Sequence, residues 1–257
     1  MFLDVNLEPV PDRPALVMKG ARSWVCVADL HLGIEVQLRR AGFNIPSQAP
    51  KMLADIEELA TRGENLLILG DVKHRIPSVS YREDREIPPF LDRLLKHFAE
   101  VTIVAGNHDG GLSTVLPQAI RPIAGHGARL DDIGVCHGHV WPSKDAMSGS
   151  TLVMGHIHPS VLLRDSLGSK SNEKCWVRGK FKKAMVLRRY GHCPNELVVV
   201  PAFNPLLTGT PINAGTGARL GPIFRNGLVY EKGLAIYLLD GTNLGRIAAV
   251  RGAANAF

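Results

Sequence analysis

Five short apolar runs set the pattern of the chain, and each ends in a cluster of Gly, Asp, Asn or His. They are Trp24-Val25-Cys26-Val27-Ala28 before Asp29, Leu66 to Leu69 before Gly70-Asp71, and Val101 to Ala105 before Gly106-Asn107-His108-Asp109. Ile133 to Cys136 before His137, and Thr151 to Met154 before Gly155-His156, complete the set. Short runs of this kind, bounded by turn residues, predict buried strands. Between the first three the spacing becomes helical. Pro46 and Ser47 can open a helix that carries Met52, Leu53, Ile56, Leu59 and Ala60 on one face and stops at Gly63. A second predicted helix, from about Pro88 to Phe98, places Phe90, Leu91, Leu94, Leu95 and Phe98 on one side. Strands joined by crossovers of this length pair in parallel, so the amino-terminal half reads as α/β.

After His158 the pattern changes to short apolar runs around 159–164, 174–178, 184–189, 196–200, 227–231 and 234–239, which predict mostly strand. No internal repeat, low-complexity segment or strong linker interrupts the chain. The expected arrangement is one domain over 1–257, with a β-rich half over 159–257 completing a second sheet. Arg75 to Glu86, containing Arg82-Glu83-Asp84-Arg85, reads as an exposed mobile loop.

Composition narrows the class. With 257 residues, 45% of them hydrophobic and 21% charged, the chain has enough apolar material for a large core, which excludes disorder and fibre. Cys26, Cys136, Cys175 and Cys193 are too few for a disulfide framework and predict a reduced, cytoplasmic protein. Cys26 and Cys136 are expected in core strands; a zinc site from Cys175 and His192-Cys193 lacks the usual spacing. Met1 to Gly20 shows no basic start followed by an apolar run, so no export signal is expected. Leu197 to Ala218 carries no charge but is broken by Pro201, Pro205 and Pro211, so no membrane span is expected.

Thirty Lys and Arg against 24 Asp and Glu leave a charge of +6, which favours an anionic partner. Nine of these cations (164, 170, 174, 178, 180, 182, 183, 188, 189) fall between Arg164 and Arg189, with only Asp165 and Glu173 against them. Trp176, Phe181 and Tyr190 lie among them, a mixture suited to nucleic acid through phosphate neutralisation and base stacking. The competing reading is a basic edge strand that resists aggregation.

The strand ends hold the candidate chemistry. Asp29 and His31 stand two apart, so in extended backbone both side chains would point the same way. Gly70 permits a tight turn, and Asp71 has two carboxylate oxygens that could bridge two cations. Asn107 offers an amide oxygen, His137 an imidazole, and His156 and His158 repeat the i, i+2 arrangement. This mixed nitrogen and oxygen set suits Mn, Fe, Zn, Ni or Co better than Ca or Mg. Seven ligands exceed what one transition metal with an open position takes, so two divalent ions sharing a hydroxide are expected, with manganese favoured. His108, followed by Asp109, is read as a general acid held by that carboxylate. Lys73 and His74 are close enough to Asp71 to reach a substrate phosphate.

Asp29-x-His31, Gly70-Asp71, Gly106-Asn107-His108-Asp109, His137-Gly138-His139 and Gly155-His156-x-His158 together resemble the calcineurin-like metallophosphoesterase superfamily, in its motif order, over residues 29–158. The resemblance implies an α/β fold, a four-layer αββα sandwich of two mixed sheets, with a dinuclear centre at the sheet edges. It implies Asp29, His31, Asp71 and His158 around one metal, Asp71, Asn107, His137 and His156 around the other, and His108 as the catalytic histidine. His137 and His139 both fit after their strand; the first is taken as ligand, with His139 as a supporting or phosphate contact. Ala28-Asp29-Leu30-His31-Leu32-Gly33, Gly70-Asp71-Val72-Lys73-His74 and Pro201-Ala202-Phe203-Asn204-Pro205 are further similar to the ICC-like and SbcD-related branch, which includes the ligase-associated DNA damage response endonucleases.

The expected function is a metal-dependent phosphodiesterase or nuclease, in nucleic-acid processing or DNA repair. The runner-up is a small-substrate phosphatase or cyclic-nucleotide phosphodiesterase. A non-catalytic scaffold of the same fold is disfavoured, because Asp71, Asn107 and His108 are all present. The reading is compatible with a homodimer and assigns no protein partner.

Overall fold

The structure, a computed structural model, describes residues 6–79, 81–165, 167–214 and 220–254. The first sheet opens with an antiparallel meander of β1 (Leu7–Pro9), β2 (Ala15–Lys19) and β3 (Ser23–Ala28). Helices α1 (Ile34–Arg40) and α2 (Ala49–Leu59) cross over to β4 (Asn65–Leu69), and α3 (Tyr81–Leu94) crosses to β5 (Glu100–Val104). Strands β3, β4 and β5 pair in parallel, as their crossover lengths require.

The second sheet contains β6 (Ala128–Leu130), β7 (Ile133–Cys136), β8 (Thr151–Met154), β9 (Pro159–Arg164) and β10 (Lys170–Gly179). Helix α4 (Lys183–Tyr190) precedes β11 (Glu196–Val199) and β12 (Thr210–Pro211). Helix α5 (Gly221–Arg225), β13 (Ala235–Leu238), β14 (Asn243–Arg246) and α6 (Ile247–Ala254) follow. The strand order is β12-β9-β10-β11-β8-β7-β6, with β13 joining β10 to β14. Strands β7, β8 and β11 are mutually parallel at the heart of this sheet.

Alternation along each strand builds the layers. In β4, Leu66 and Ile68 face the cluster formed with α2 and α3, while Leu67 and Leu69 face the other sheet. Val25 and Val27 divide from Trp24, Cys26 and Ala28 in the same way. On the second sheet Val153 points inward between the sheets, and Leu152 and Met154 point outward beneath α4, α5 and α6. Both faces of the central strands are therefore apolar and buried, and the result is the four-layer αββα sandwich of two mixed sheets.

Several sequence expectations need correction. Helix α3 begins at Tyr81, well before Pro88, and runs through Pro88 and Pro89. The missing N–H groups are outweighed by the apolar face of Ile87, Phe90, Leu91 and Leu94 buried on the first sheet. Half of the segment expected as a loop, 81–86, is thus helical, and Glu83 within it is buried. Residues 184–189 form α4 rather than a strand: only Val186 is buried, Arg188 and Arg189 sit in the last turn, and Gly191 closes the helix at φ 76°. Residues 227–231 make a single bridge, Val229 to Phe181, instead of a strand. Helix α1 and the first two strands lack a long periodic pattern and were not expected.

The basic segment is not one continuous patch. Trp176 and Phe181 are core residues and unavailable for base stacking. Lys174 Nζ donates to the carbonyls of Ala202 and Asn204 at 2.7 and 2.6 Å, and Arg178 pairs with Glu196. The four cysteines are free, with Cys26, Cys136 and Cys175 buried. Among the described residues no helix is long and apolar enough to cross a membrane.

Leu67, fully buried between the sheets, offers a direct test of the layering. Leu67→Ala should lower unfolding stability by about 2–5 kcal/mol in denaturant titration. A loss under about 1 kcal/mol would mean that the two sheets do not share this core.

Candidate metal centre

Register carries the functional loops to one place. Ala28, Leu69 and Val104 are neighbours at the ends of β3, β4 and β5, so Asp29, Gly70-Asp71 and the loop through Asn107 emerge side by side. Cys136 and Met154 are likewise paired, which sets His137 beside Gly155-His156 on the facing sheet. Loops at the carboxyl ends of parallel strands thereby converge from both sheets. His137 Nδ1 lies 2.8 Å from the Leu69 carbonyl, stitching one sheet edge to the other.

The close approach demands glycine at two points. A Cβ on Gly70, whose φ is 76°, would lie 2.3 Å from His137 Nδ1, and one on Gly106 would lie 2.1 Å from Asp71 Oδ1. Five of the expected ligands also adopt left-handed backbone: Asp29 (φ 58°), His31 (43°), Asp71 (47°), His156 (70°) and His158 (46°). Asp29 and His31 therefore meet through tight left-handed turns, not through the extended spacing expected from sequence. Such conformations cost about 1–3 kcal/mol each and persist only where the surroundings enforce them.

Those surroundings are visible. The loop after β3 is zipped to the loop after β4 by Asp29 N to Gly70 O (3.1 Å), His31 N to Asp71 O (2.7 Å) and Leu32 N to Val72 O (2.8 Å). Buried Asn204 donates from Nδ2 to the Leu30 carbonyl at 2.7 Å, and Lys174 holds the Asn204 carbonyl in turn. The Pro201 to Pro205 stretch thus braces the Asp29–His31 loop, a role that its sequence did not disclose.

The structure brings the seven expected ligands together. Ligand atoms of Asp29, His31, Asp71 and His158 all lie within 4.8 Å of one another, as do those of Asp71, His137 and His156. Asp71 belongs to both groups: its Oδ2 is 3.4 Å from His31 Nε2 and 3.4 Å from His137 Nε2. Asn107 Oδ1 stands 3.2 Å from His137 Nε2. Asp29 Oδ1, His31 Nε2 and His158 Nε2 are buried without a well-formed hydrogen bond, although Asp29 Oδ1 and His158 Nε2 are 3.2 Å apart. Buried lone pairs left unsatisfied in a carboxylate–imidazole cluster are what a divalent cation would complete.

The electrostatics agree. Burial opposes ionisation of Asp29 and Asp71, yet the neighbouring imidazoles, chiefly His158 for Asp29 and His137 for Asp71, hold both carboxyls below their usual range. Burial also opposes charge on His137, but hydrogen bonding to Asp71 and the charges of Asp29 and Asp71 prevail and raise it to about 9. Burial lowers His31 to about 3 and His156 to about 4, which leaves their lone pairs free. The pocket therefore favours positive charge on His137 and also on His158, where burial opposes ionisation but Asp29 prevails and raises the pKa, while His31 and His156 stay neutral.

The remaining candidates divide. His108 N donates to Asp71 Oδ1 at 2.8 Å, and its ring lies edge-on to His31 at 4.6 Å. The His108 ring is held through Nδ1 by the His74 carbonyl at 2.5 Å, not by Asp109. Asp109, buried and with its pKa raised by that burial, accepts instead from Gly106 N (2.7 Å) and Lys73 N (3.3 Å), and so fixes the loop backbone. Lys73 is fully buried and its ammonium donates to the Arg75 carbonyl.

His74 is likewise occupied. Its Nε2 meets Gln37 Oε1 at 2.6 Å and its Nδ1 meets His31 Nδ1 at 3.1 Å. With Gln37 accepting, His74 Nδ1 must accept from His31 Nδ1–H, which turns the His31 Nε2 lone pair toward Asp71. Both ring nitrogens of His74 are thus engaged, one by Gln37 and one by His31. Gln37 was missed because α1 was missed. His139 lies beside the centre, its ring 5.2 Å from His137 and 6.0 Å from His156, but outside both ligand groups.

A fold of this kind, with this donor set at its strand ends, defines a metal-dependent hydrolase. Residues 24–209 match the family model for the calcineurin-like phosphoesterases, and the chain belongs to that family. Among solved structures it is similar to the nuclease MPE of Pseudomonas putida, with 19% identity over 91% of this chain and 98% of that one, at a TM-score of 0.53. That likeness is one of fold. YfcE, a phosphoesterase from E. coli, matches at 17% identity over 88% of this chain and 98% of that one, with a TM-score of 0.38. No curated protein matches the chain.

The two histidines after β7 can be separated by metal analysis. After loading with manganese and desalting, His137→Ala should carry less metal per chain than the wild type, whereas His139→Ala should retain it, as read by plasma mass spectrometry. Equal losses from the two variants would contradict the ligand geometry.

Proposed function

We propose that the protein is a phosphodiesterase acting on nucleic acid through two divalent transition-metal ions, manganese foremost. The observation that carries this reading is the position of Asp71, whose Oδ2 is equidistant from His31 Nε2 and His137 Nε2 with His108 beside it. Asp29, His31, Asp71 and His158 would hold one ion; Asp71, Asn107, His137 and His156 would hold the other. When bound, such ions supply Lewis-acid neutralisation of phosphoryl oxygens and a nucleophile at neutral pH.

The chain's own residues do the rest. Asp71 orients the His108 loop through the His108 N–H, and the His74 carbonyl takes His108 Nδ1. That leaves His108 Nε2 to face substrate, where it can stabilise phosphate charge and give a proton to the departing oxygen. In the reaction a water oxygen bonds to phosphorus, the bond to the leaving oxygen breaks, and the leaving oxygen takes the proton. The excess of six positive charges and the shared fold with a nuclease support an anionic polymer as substrate. Four free cysteines support the cytoplasmic reading.

Manganese-loaded protein should hydrolyse bis-p-nitrophenyl phosphate, and EDTA should abolish the activity; absence of turnover with Mn, Co, Ni and Zn alike would defeat the reading. His108→Ala should keep two metals per chain while kcat falls about 10²–10⁴-fold. Asp71→Asn should lose metal itself. Full metal content and full rate in both variants would overturn the assigned roles.

A further inference from the structure

A cavity of about 530 Å³ opens beside His74 and His108. This lies within the range of about 300–1,000 Å³ usual for small-ligand sites. One wall is α1, whose spacing brings Val36, Gln37 and Arg40 to the same flank. The loop after β4 lines it as well, contributing Arg75 and Ile76. Ile76 is 53% exposed, a large apolar side chain left open to solvent beside a catalytic candidate.

Charge gives the cavity its character. Arg40 and Arg75 are exposed, and among the described residues neither guanidinium has a hydrogen-bonded or ion-paired partner. Glu83 also lines the cavity, but it is buried and its Oε1 already accepts from His74 N at 3.2 Å and Arg75 N at 2.8 Å. The carboxylate is spent on holding the Arg75 loop, so two guanidiniums face the opening. Planar guanidinium forks suit phosphate oxygens, and an apolar flank suits a base.

We propose that this cavity is the leaving-group subsite, taking one nucleotide of a single nucleic-acid strand, with its base against Val36 and Ile76 and its next phosphate on Arg40 and Arg75. The proposal rests on the phosphodiesterase reading of the adjacent centre and narrows it. His108 would serve the leaving oxygen, and the cavity beside it would receive what departs. Diesters whose leaving group carries a phosphate of its own are then preferred over bis-p-nitrophenyl phosphate and cyclic nucleotides, which have none to offer.

Two measurements test the subsite. In the first, manganese-loaded protein is given the dinucleotide dTpdT with and without an added phosphate on either end. An added phosphate on the leaving nucleotide should raise kcat/KM about tenfold or more, mainly through KM. Arg40→Ala with Arg75→Ala should remove that gain. No gain in the wild type, or a gain that survives both substitutions, would overturn the proposal. In the second, a dye-labelled oligothymidylate is bound without turnover and followed by fluorescence anisotropy at several salt concentrations. The double variant should bind more weakly, with a log-log salt slope shallower by about 0.7 for each lost phosphate contact. Unchanged binding and slope would likewise sink the subsite. Arginine-dependent binding without hydrolysis of any diester would defeat the phosphodiesterase reading, and with it the leaving-group role, and would leave Arg40 and Arg75 as a strand-binding site only.

Discussion

The arrangement depends on one buried carboxylate. Asp71 accepts from the His108 backbone N–H at Oδ1 and holds Oδ2 midway between imidazoles from the two sheets. A carboxylate in that position is stable only if positive charge or good donors surround it, since burial alone would drive it to the neutral form. The fold meets this condition by crowding imidazoles against it, and the same crowding leaves lone pairs with no protein partner. Affinity for a cation would thus follow from how Asp71 is buried, and the donor cluster sits between the sheets because Asp71 does.

Holding that geometry requires backbone that few sequences tolerate. Five left-handed non-glycine residues fall within one small site, and each is Asp or His, types that accept this conformation more readily than β-branched residues. Hydrogen bonds between the Asp29 and Asp71 loops, the Asn204 amide and the Lys174 ammonium collectively oppose their relaxation. Asn204, which Lys174 holds, also ties the β-rich half to the Asp29–His31 loop of the α/β half. A residue that composition alone would assign to a phosphate-binding surface is here part of the scaffold of the site.

Much of this is legible in the amino-acid sequence. The runs ending at Asp29, Asp71, Asn107, His137 and His156 are strands because each is short, apolar and closed by turn residues, and the clustering of these side chains follows from where those strands stop. What stayed hidden lacked a local signal. Helix α1 has only seven residues, so Gln37 and Arg40 had no periodicity to announce them. Glu83 lies in a charged run that looks solvated, yet tertiary contact with the His74–Arg75 backbone buries it. The α4 segment mimicked a strand because Val186 and Leu187 interrupt its charges, and only burial of a single residue distinguishes the helix. Trp176 was misjudged because Lys174 and Arg178, which share its face of β10, are taken up by the Ala202 and Asn204 carbonyls and by Glu196 instead of marking an open basic surface.

Anomalous diffraction from crystals grown with manganese addresses the central claim most directly. Two peaks should appear, one on each side of Asp71, the first among Asp29, His31 and His158 and the second among Asn107, His137 and His156. A single peak that excludes Asp71, or no peak at full manganese occupancy of the crystallisation solution, would contradict it.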